Sequence, residues 1–152
     1  MQESAQLATE FVVEIDQVDE YEFRVRLDKP QYPELMLDAP APVGKDVNPS
    51  PSRLLAAAMG HCMASGLLFC GRKLGVTLGP IRARVRTEIV RNERGFRRIG
   101  KMTVEIEASA LDGDKDLVER CAKTFEDYCM VSQSVREGVE VEVRLNGLQS
   151  DS

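Results

Sequence analysis

From Ser52 to Gly71 the chain reads SRLLAAAMGHCMASGLLFCG, apolar on nearly every side of a helix, with only Ser52, Arg53, His61 and Ser65 interrupting it before Arg72. A helix that is apolar all round has to be covered by lipid or enclosed by protein. Its flanks carry strand patterns and it contains His61 and several glycines, which predicts a central helix enclosed by protein and ending near Gly75. Ser50 and Pro51 mark its start: a serine side chain can accept from the first free amides, and proline costs no hydrogen bond at the first helical position. The surface of one small chain is insufficient to cover such a helix, so a dimer is expected.

The 152 residues suit a single domain over 1–152, with 39–50 as a connecting loop and 146–152 as a tail. A formal charge of −5 gives no basic footprint for nucleic acid or anionic lipid, so neither nucleic acid nor a membrane is expected as a partner. The start MQESAQLATEFVVEI has neither a basic opening nor an unbroken apolar run, and a cytoplasmic location is the default expectation. In that reducing compartment Cys62, Cys70, Cys121 and Cys129 start as thiols; no C-x-x-C pair suggests a zinc ribbon or a thioredoxin-type motif.

Around the apolar helix the pattern has period two. Residues 11–15 and 21–27 read as amphipathic strands joined around Asp16–Glu20, and Glu34–Asp38 as a third. Strands follow from Ile81 and over Phe96–Ser109, joined by a turn at NERG, with Met102, Val104 and Ile106 facing inward. The row Arg82, Arg84, Arg86 on one strand and the glutamates on the next can pair across the hairpin, a solvated face rather than an anion site. Asp112–Asp116 opens a helix running to about Tyr128, with Leu117, Val118, Cys121 and Phe125 on one stripe. A third helix starts near Val131, and Val139–Leu145 reads as a last strand. This order lacks the strand–helix alternation of a doubly wound sheet and predicts an α+β fold.

Two thiols stand out as candidates for chemistry. Cys62 lies mid-helix among small residues, in GHCMAS, and Cys129 lies where one helix ends and another begins, where helix-terminal amides favour an anion. His61 adjoins Cys62 in sequence, but neighbouring helix residues point about 100° apart. As the sole histidine it can form neither a Ser/His/Asp triad nor a multi-histidine metal site. Cys70 lies eight residues after Cys62, and Cys121 eight before Cys129. Both read as core residues, since helical spacing is wrong for a four-thiolate metal site, and the six methionines read as adaptable packing.

The string NPSPSRLLAAAMGHCMASGL resembles the helix signature of the OsmC/Ohr family (osmotically inducible protein C and organic hydroperoxide resistance protein), and YCMVSQSV resembles that family's second-cysteine segment. The likeness runs from about Val43 to Leu145. It implies an OsmC-like α+β fold of two antiparallel β-sheets around a central buried helix, in an intertwined homodimer with active sites at the interface. It further implies that Cys62 is the peroxidatic cysteine and Cys129 the resolving one. In that chemistry Cys62 is oxidised to a sulfenic acid by an organic hydroperoxide, Cys129 closes a disulfide, and an external dithiol, a dihydrolipoyl group in the hydroperoxide-resistance branch, resets the pair. No bound cofactor or metal is implied. Leu54, Leu55, Met59, Met63 and Leu67 offer an apolar lining suited to an organic peroxide.

The chain departs from the family pattern in one respect. The peroxidase branches have an arginine upstream of the helix and a glutamate in its first turn; here the glutamate position is Ser52, and Leu37–Gly44 contains no arginine. An ordinary thiol, with a pKa of about 8.5, is mostly protonated at neutral pH, so another group must favour the thiolate. Arg24, Arg26, Lys45 and Arg53 are the candidates. Two function classes follow: a thiol peroxidase working through Cys62 and Cys129, and an OsmC-fold ligand-binding or redox-sensing protein without efficient turnover.

Overall fold

In the computed structural model, residues 6–148 are described. The chain forms two compact units whose boundary falls inside one helix, the first ending at Ala56 and the second starting at Ala57.

The first unit is a three-stranded antiparallel meander: β1 (Glu14–Asp19), β2 (Glu22–Arg26) and β3 (Leu35–Leu37), in the order β1-β2-β3. The alternation of residues 21–27 survives as β2, where Val25 is buried. The first turn is displaced from its expected position. Asp16–Asp19 belong to β1 because Asp16 pairs with Arg24 in the ladder and takes a salt bridge of 2.7 Å from Arg26, so the reversal falls at Glu20 and Tyr21. The loop that follows is folded around Asp38. This residue is 3% exposed, and its carboxylate accepts from the amides of Ala39 at 2.7 Å and Val47 at 3.2 Å.

Helix α1 (Pro51–Leu74) starts at the expected proline. The Ser50 hydroxyl is used differently from expectation: it accepts from the Arg53 guanidinium at 3.0 Å, while the Ser50 carbonyl takes the amides of Arg53 and Leu54. Gly75, at φ 73°, ends the helix, supplying the left-handed residue that a side chain would strain. Within the single chain α1 buries one face, with Met59, Gly60, Met63, Gly66, Cys70 and Gly71, and leaves Leu68 and Phe69 exposed on the other. By length and composition α1 would also span a membrane.

The second unit pairs β5 (Arg82–Arg91) with β6 (Arg97–Glu107) in a long hairpin, and β4 (Thr77–Leu78) with β7 (Ala110–Asp112). The α+β class holds, and its strands pair as one three-stranded and two two-stranded antiparallel sheets rather than as two sheets. The hairpin register sets Arg82 opposite Glu107 and Arg84 opposite Glu105, the cross-strand charge alternation read from the sequence. Met102, Val104 and Ile106 on β6 face a small core formed by Met59, Met63 and Cys129. Gly60 lets α1 lie on this hairpin, since a Cβ there would sit 2.8 Å from Val85 Cγ2.

Helix α2 (Lys115–Thr124) is capped by Asp114, whose carboxylate accepts from the Asp116 amide at 2.8 Å. The helix expected to run to Tyr128 tightens into a 3-10 turn over Phe125–Tyr128, and α3 (Met130–Glu137) follows after Cys129. One expected element is absent. Val139–Leu145 forms no strand, and Val139, Val141, Val143 and Leu145 are 65–82% exposed. Its alternating pattern encodes a strand with one apolar face, but no neighbouring strand among the described residues pairs with it. The last four residues of the expected 146–152 tail lie outside the described residues.

Candidate active site

The site is built where α1 meets the junction of the 3-10 turn and α3. Cys62 is half-buried on α1 and packs against the core of Met59, Met63 and Cys129. One turn further along the same face stands Gly66. A Cβ there would lie 3.0 Å from the Phe125 carbonyl oxygen and 3.9 Å from the Cys129 nitrogen, so the missing side chain brings the 125–129 segment against the helix. The two candidate thiols, 67 positions apart in sequence, thereby come together in one small core.

Cys129 occupies the N-cap of α3 in an extended conformation, with no solvent exposure. The Ser132 amide donates to its sulfur at 3.3 Å, and the Ser132 hydroxyl donates to its carbonyl at 3.3 Å. Capping residues ordinarily present oxygen to these amides; here sulfur does so, and the helix dipole favours its anion. Burial raises the Cys129 pKa, but the Ser132 side chain, the Cys62 thiol and the amides of Ser132 and Val131 together outweigh it and hold it below the ordinary thiol value. For Cys62 the balance goes the other way. Burial, then the hydrogen bond it donates to Cys129 and the charge there, raise it, against a smaller lowering by the amides of Val131 and Met130. The first turn of α3 therefore directs amides at both sulfurs, and the pair shares its negative charge with Cys129 as the preferred holder.

The candidate cations are engaged elsewhere, inside the first unit. Arg24 pairs with Glu34 at 3.2 Å, Arg26 with Asp16 and Glu14, and Lys45 with Asp19 and Glu22, while Arg53 donates to Ser50. No lysine or arginine stands among the groups that shift Cys62 or Cys129. His61 is exposed, with Nε2 3.5 Å from Ser65 Oγ one turn on. Ser132, 1% exposed, and Gly66 are the site residues that sequence reasoning missed. The Cys-x-x-Ser spacing in CMVS was a legible sign of the first, because a helix N-cap faces the amide three residues on.

Cys70 and Cys121 meet each other two turns away, at 1% and 2% exposure. Cys121 Sγ lies 3.8 Å from the Leu67 carbonyl oxygen, and Cys70 Sγ lies 3.8 Å from Thr124 Oγ1, so each thiol touches the turn that carries the other. Burial, followed by the adjacent Cys70, pushes Cys121 up to about 12. No cluster of three or more metal-ligating side chains occurs among the described residues.

A family model described as OsmC-like protein matches residues 44–144, which covers α1, the hairpin, both thiols and α3. The chain belongs to the OsmC-like family. Its fold is shared with an OsmC-like protein from Vibrio cholerae (TM-score 0.70, 13% identity, covering 83% of this chain and 93% of that one). It is shared too with an organic hydroperoxide resistance protein OsmC from Legionella pneumophila (TM-score 0.63, 14% identity, 86% and 92% covered). A third such structure is an organic hydroperoxide resistance protein from Elizabethkingia anophelis with thiocyanate bound (TM-score 0.63, 18% identity, 88% and 94% covered). No curated protein matches the chain.

Proposed function

We propose that this OsmC-like protein is a thiol peroxidase that reduces organic hydroperoxides through Cys62 and Cys129. The carrying observation is that Cys62 and Cys129 share one small core at the start of α3, whose Ser132 amide donates to the Cys129 sulfur. Cys62, the half-buried member, is the sulfur a substrate can reach; Cys129, without exposure, is the one that holds charge. The Cys62 proton passes to Cys129 as the Cys62 sulfur attacks the terminal peroxide oxygen. The oxygen–oxygen bond breaks, the departing alkoxide takes the proton held by Cys129 and leaves as an alcohol, Cys129 returns to its thiolate, and Cys62 becomes a sulfenic acid. Cys129 then attacks that sulfur as a thiolate, the sulfur–oxygen bond breaks, and the displaced hydroxide takes a proton from solvent and leaves as water as the disulfide forms. One hydroperoxide and two thiols give one alcohol, one water and one disulfide. An external dithiol, of the dihydrolipoyl type, returns two electrons and two protons by exchange. No bound cofactor or metal takes part in this scheme.

The working unit in this reading is a homodimer. The exposed face of α1 with Leu68 and Phe69, and the exposed apolar row of 139–145, give a second copy something to cover. A reducing, cytoplasmic setting keeps the four cysteines as the free thiols they are here.

The test is turnover of cumene hydroperoxide by reduced protein supplied with dihydrolipoamide. Cys62→Ser abolishes it, and Cys129→Ser leaves a single oxidation that stops at the sulfenic acid. Unchanged turnover in Cys62→Ser would overturn the proposal. The raised Cys62 thiol, with no cation acting on it, favours a second reading as a slow redox sensor. Stoichiometric oxidation over minutes, with no steady-state consumption of peroxide, would decide for that reading.

A further inference from the structure

Beside the thiol pair the second unit contains an apolar cavity of about 330 Å3. Its floor is formed by buried Met63, Val76 and Cys121, and its rim by the exposed alanines Ala108, Ala110 and Ala122. It shares Met63, Val104, Ile106 and Phe125 with the core around Cys129, yet neither Cys62 nor Cys129 lines it. A molecule held there does not meet the reacting sulfur, so the cavity is not accounted for by peroxide reduction.

We propose that this cavity is a separate binding site for a small aliphatic molecule with an uncharged polar head, held in the monomer between α1, α2 and the β4–β7 and β6 strands. The volume lies at the lower end of small-molecule pockets. A 150 Å3 apolar cavity is known to accept benzene, so twice that volume accommodates about a dozen non-hydrogen atoms. The lining chemistry selects the class. The sole ionisable side chains in the wall are Cys121 and Glu126. The Cys121 thiol, pushed up to about 12 by burial, stays neutral at physiological pH. The Glu126 carboxylate is already paired with Arg136 at 2.7 Å, so the wall offers an anionic head no cation to pair with. The site stands or falls independently of whether the thiol pair turns over peroxide.

The experiment uses full-length reduced protein carrying 13C-methyl methionine, titrated with 1-decanol and, separately, with decanoate. Decanol is expected to shift the Met63 methyl resonance saturably at one equivalent, leaving exposed Met130 unmoved, and decanoate to bind at least tenfold more weakly. Ala122→Leu, on the exposed rim where the fold tolerates a larger side chain, is expected to weaken decanol binding at least tenfold without altering Cys62 alkylation. Ala110→Leu serves as a second closure of the same rim. Non-saturating shifts, equal movement of Met130, equal binding of decanoate, no decanol binding at all, or affinity indifferent to both variants in folded protein would each overturn the proposal.

Discussion

The Ser132 amide donates to the Cys129 sulfur across 3.3 Å, so a thiol stands where a helix N-cap normally offers oxygen. This contact is one of several, with the Ser132 side chain and the Cys62 thiol ahead of it, that hold Cys129 below the ordinary thiol value while Cys62 is raised. The polarity of the site thus comes from the Ser132 side chain and the Cys62 thiol together with the amides of Ser132 and Val131, and removing Cys129 should change Cys62 in a definite direction.

In Cys129→Ala, Cys62 loses both the acceptor that retains its proton and the adjacent negative charge, two of the causes that raise it. The amides of Val131 and Met130 remain. The midpoint of the pH dependence of Cys62 alkylation by iodoacetamide should therefore move to lower pH than in the parent protein. A midpoint that stays or rises would show that burial alone sets the Cys62 value.

Cys121 links stability to alkaline pH. Its folded pKa is about 12 against an ordinary 9.0, so between those values the unfolded chain releases a proton that the folded chain retains. The folded state binds more protons there, and stability falls as pH rises from 9 toward 12, by up to about 4 kcal/mol in the limit. Urea unfolding at pH 8 and pH 10.5 should show a steeper loss for the parent than for Cys121→Ala. The variant itself pays a lost-packing cost of about 1–2 kcal/mol at neutral pH.

Gly66→Val should separate the two thiols. A Cβ at this position already meets the Phe125 carbonyl oxygen at 3.0 Å, and backbone yields less readily than a side chain tip. The expected loss is about 1–3 kcal/mol of stability from overpacking. Disulfide formation between Cys62 and Cys129, followed after one equivalent of hydroperoxide by mass of the linked peptides, should slow at least tenfold in the folded fraction.

Val141→Asp combined with Val143→Asp tests the second copy. These side chains are 78% and 82% exposed, so the substitution leaves the core of the single chain untouched. Light scattering should give a dimer for the parent and a monomer for the double variant, with the dissociation constant raised at least tenfold. Equal masses for the two would remove this segment from the interface.

Much of the architecture was written in local pattern. Period two marked β2, β5 and β6, with Met102, Val104 and Ile106 on the inner face, because alternate side chains of a strand point to opposite sides. Pro51 and Gly75 bounded α1 because their backbone preferences act at the residue itself. Val139–Leu145 was misread for the complementary reason: alternation specifies which face is apolar, but a strand also needs a neighbour for its amides and carbonyls, and pairing is not a local property.

The two cysteine segments and the start of a helix after Cys129 were likewise legible, since each depends on a few adjacent residues. What sequence spacing left open was which of two thiols carries charge and what substitutes for a cation. Those answers depend on Gly66 admitting the 125–129 segment to α1, and on α3 aiming its first amides at both sulfurs. By itself the sequence determined the elements and the reactive residue types, because propensity and periodicity act over a few neighbours. Tertiary structure alone decided the chemistry of the pair, because burial, charge and hydrogen bonding at sulfur depend on distance in space, and packing sets that distance.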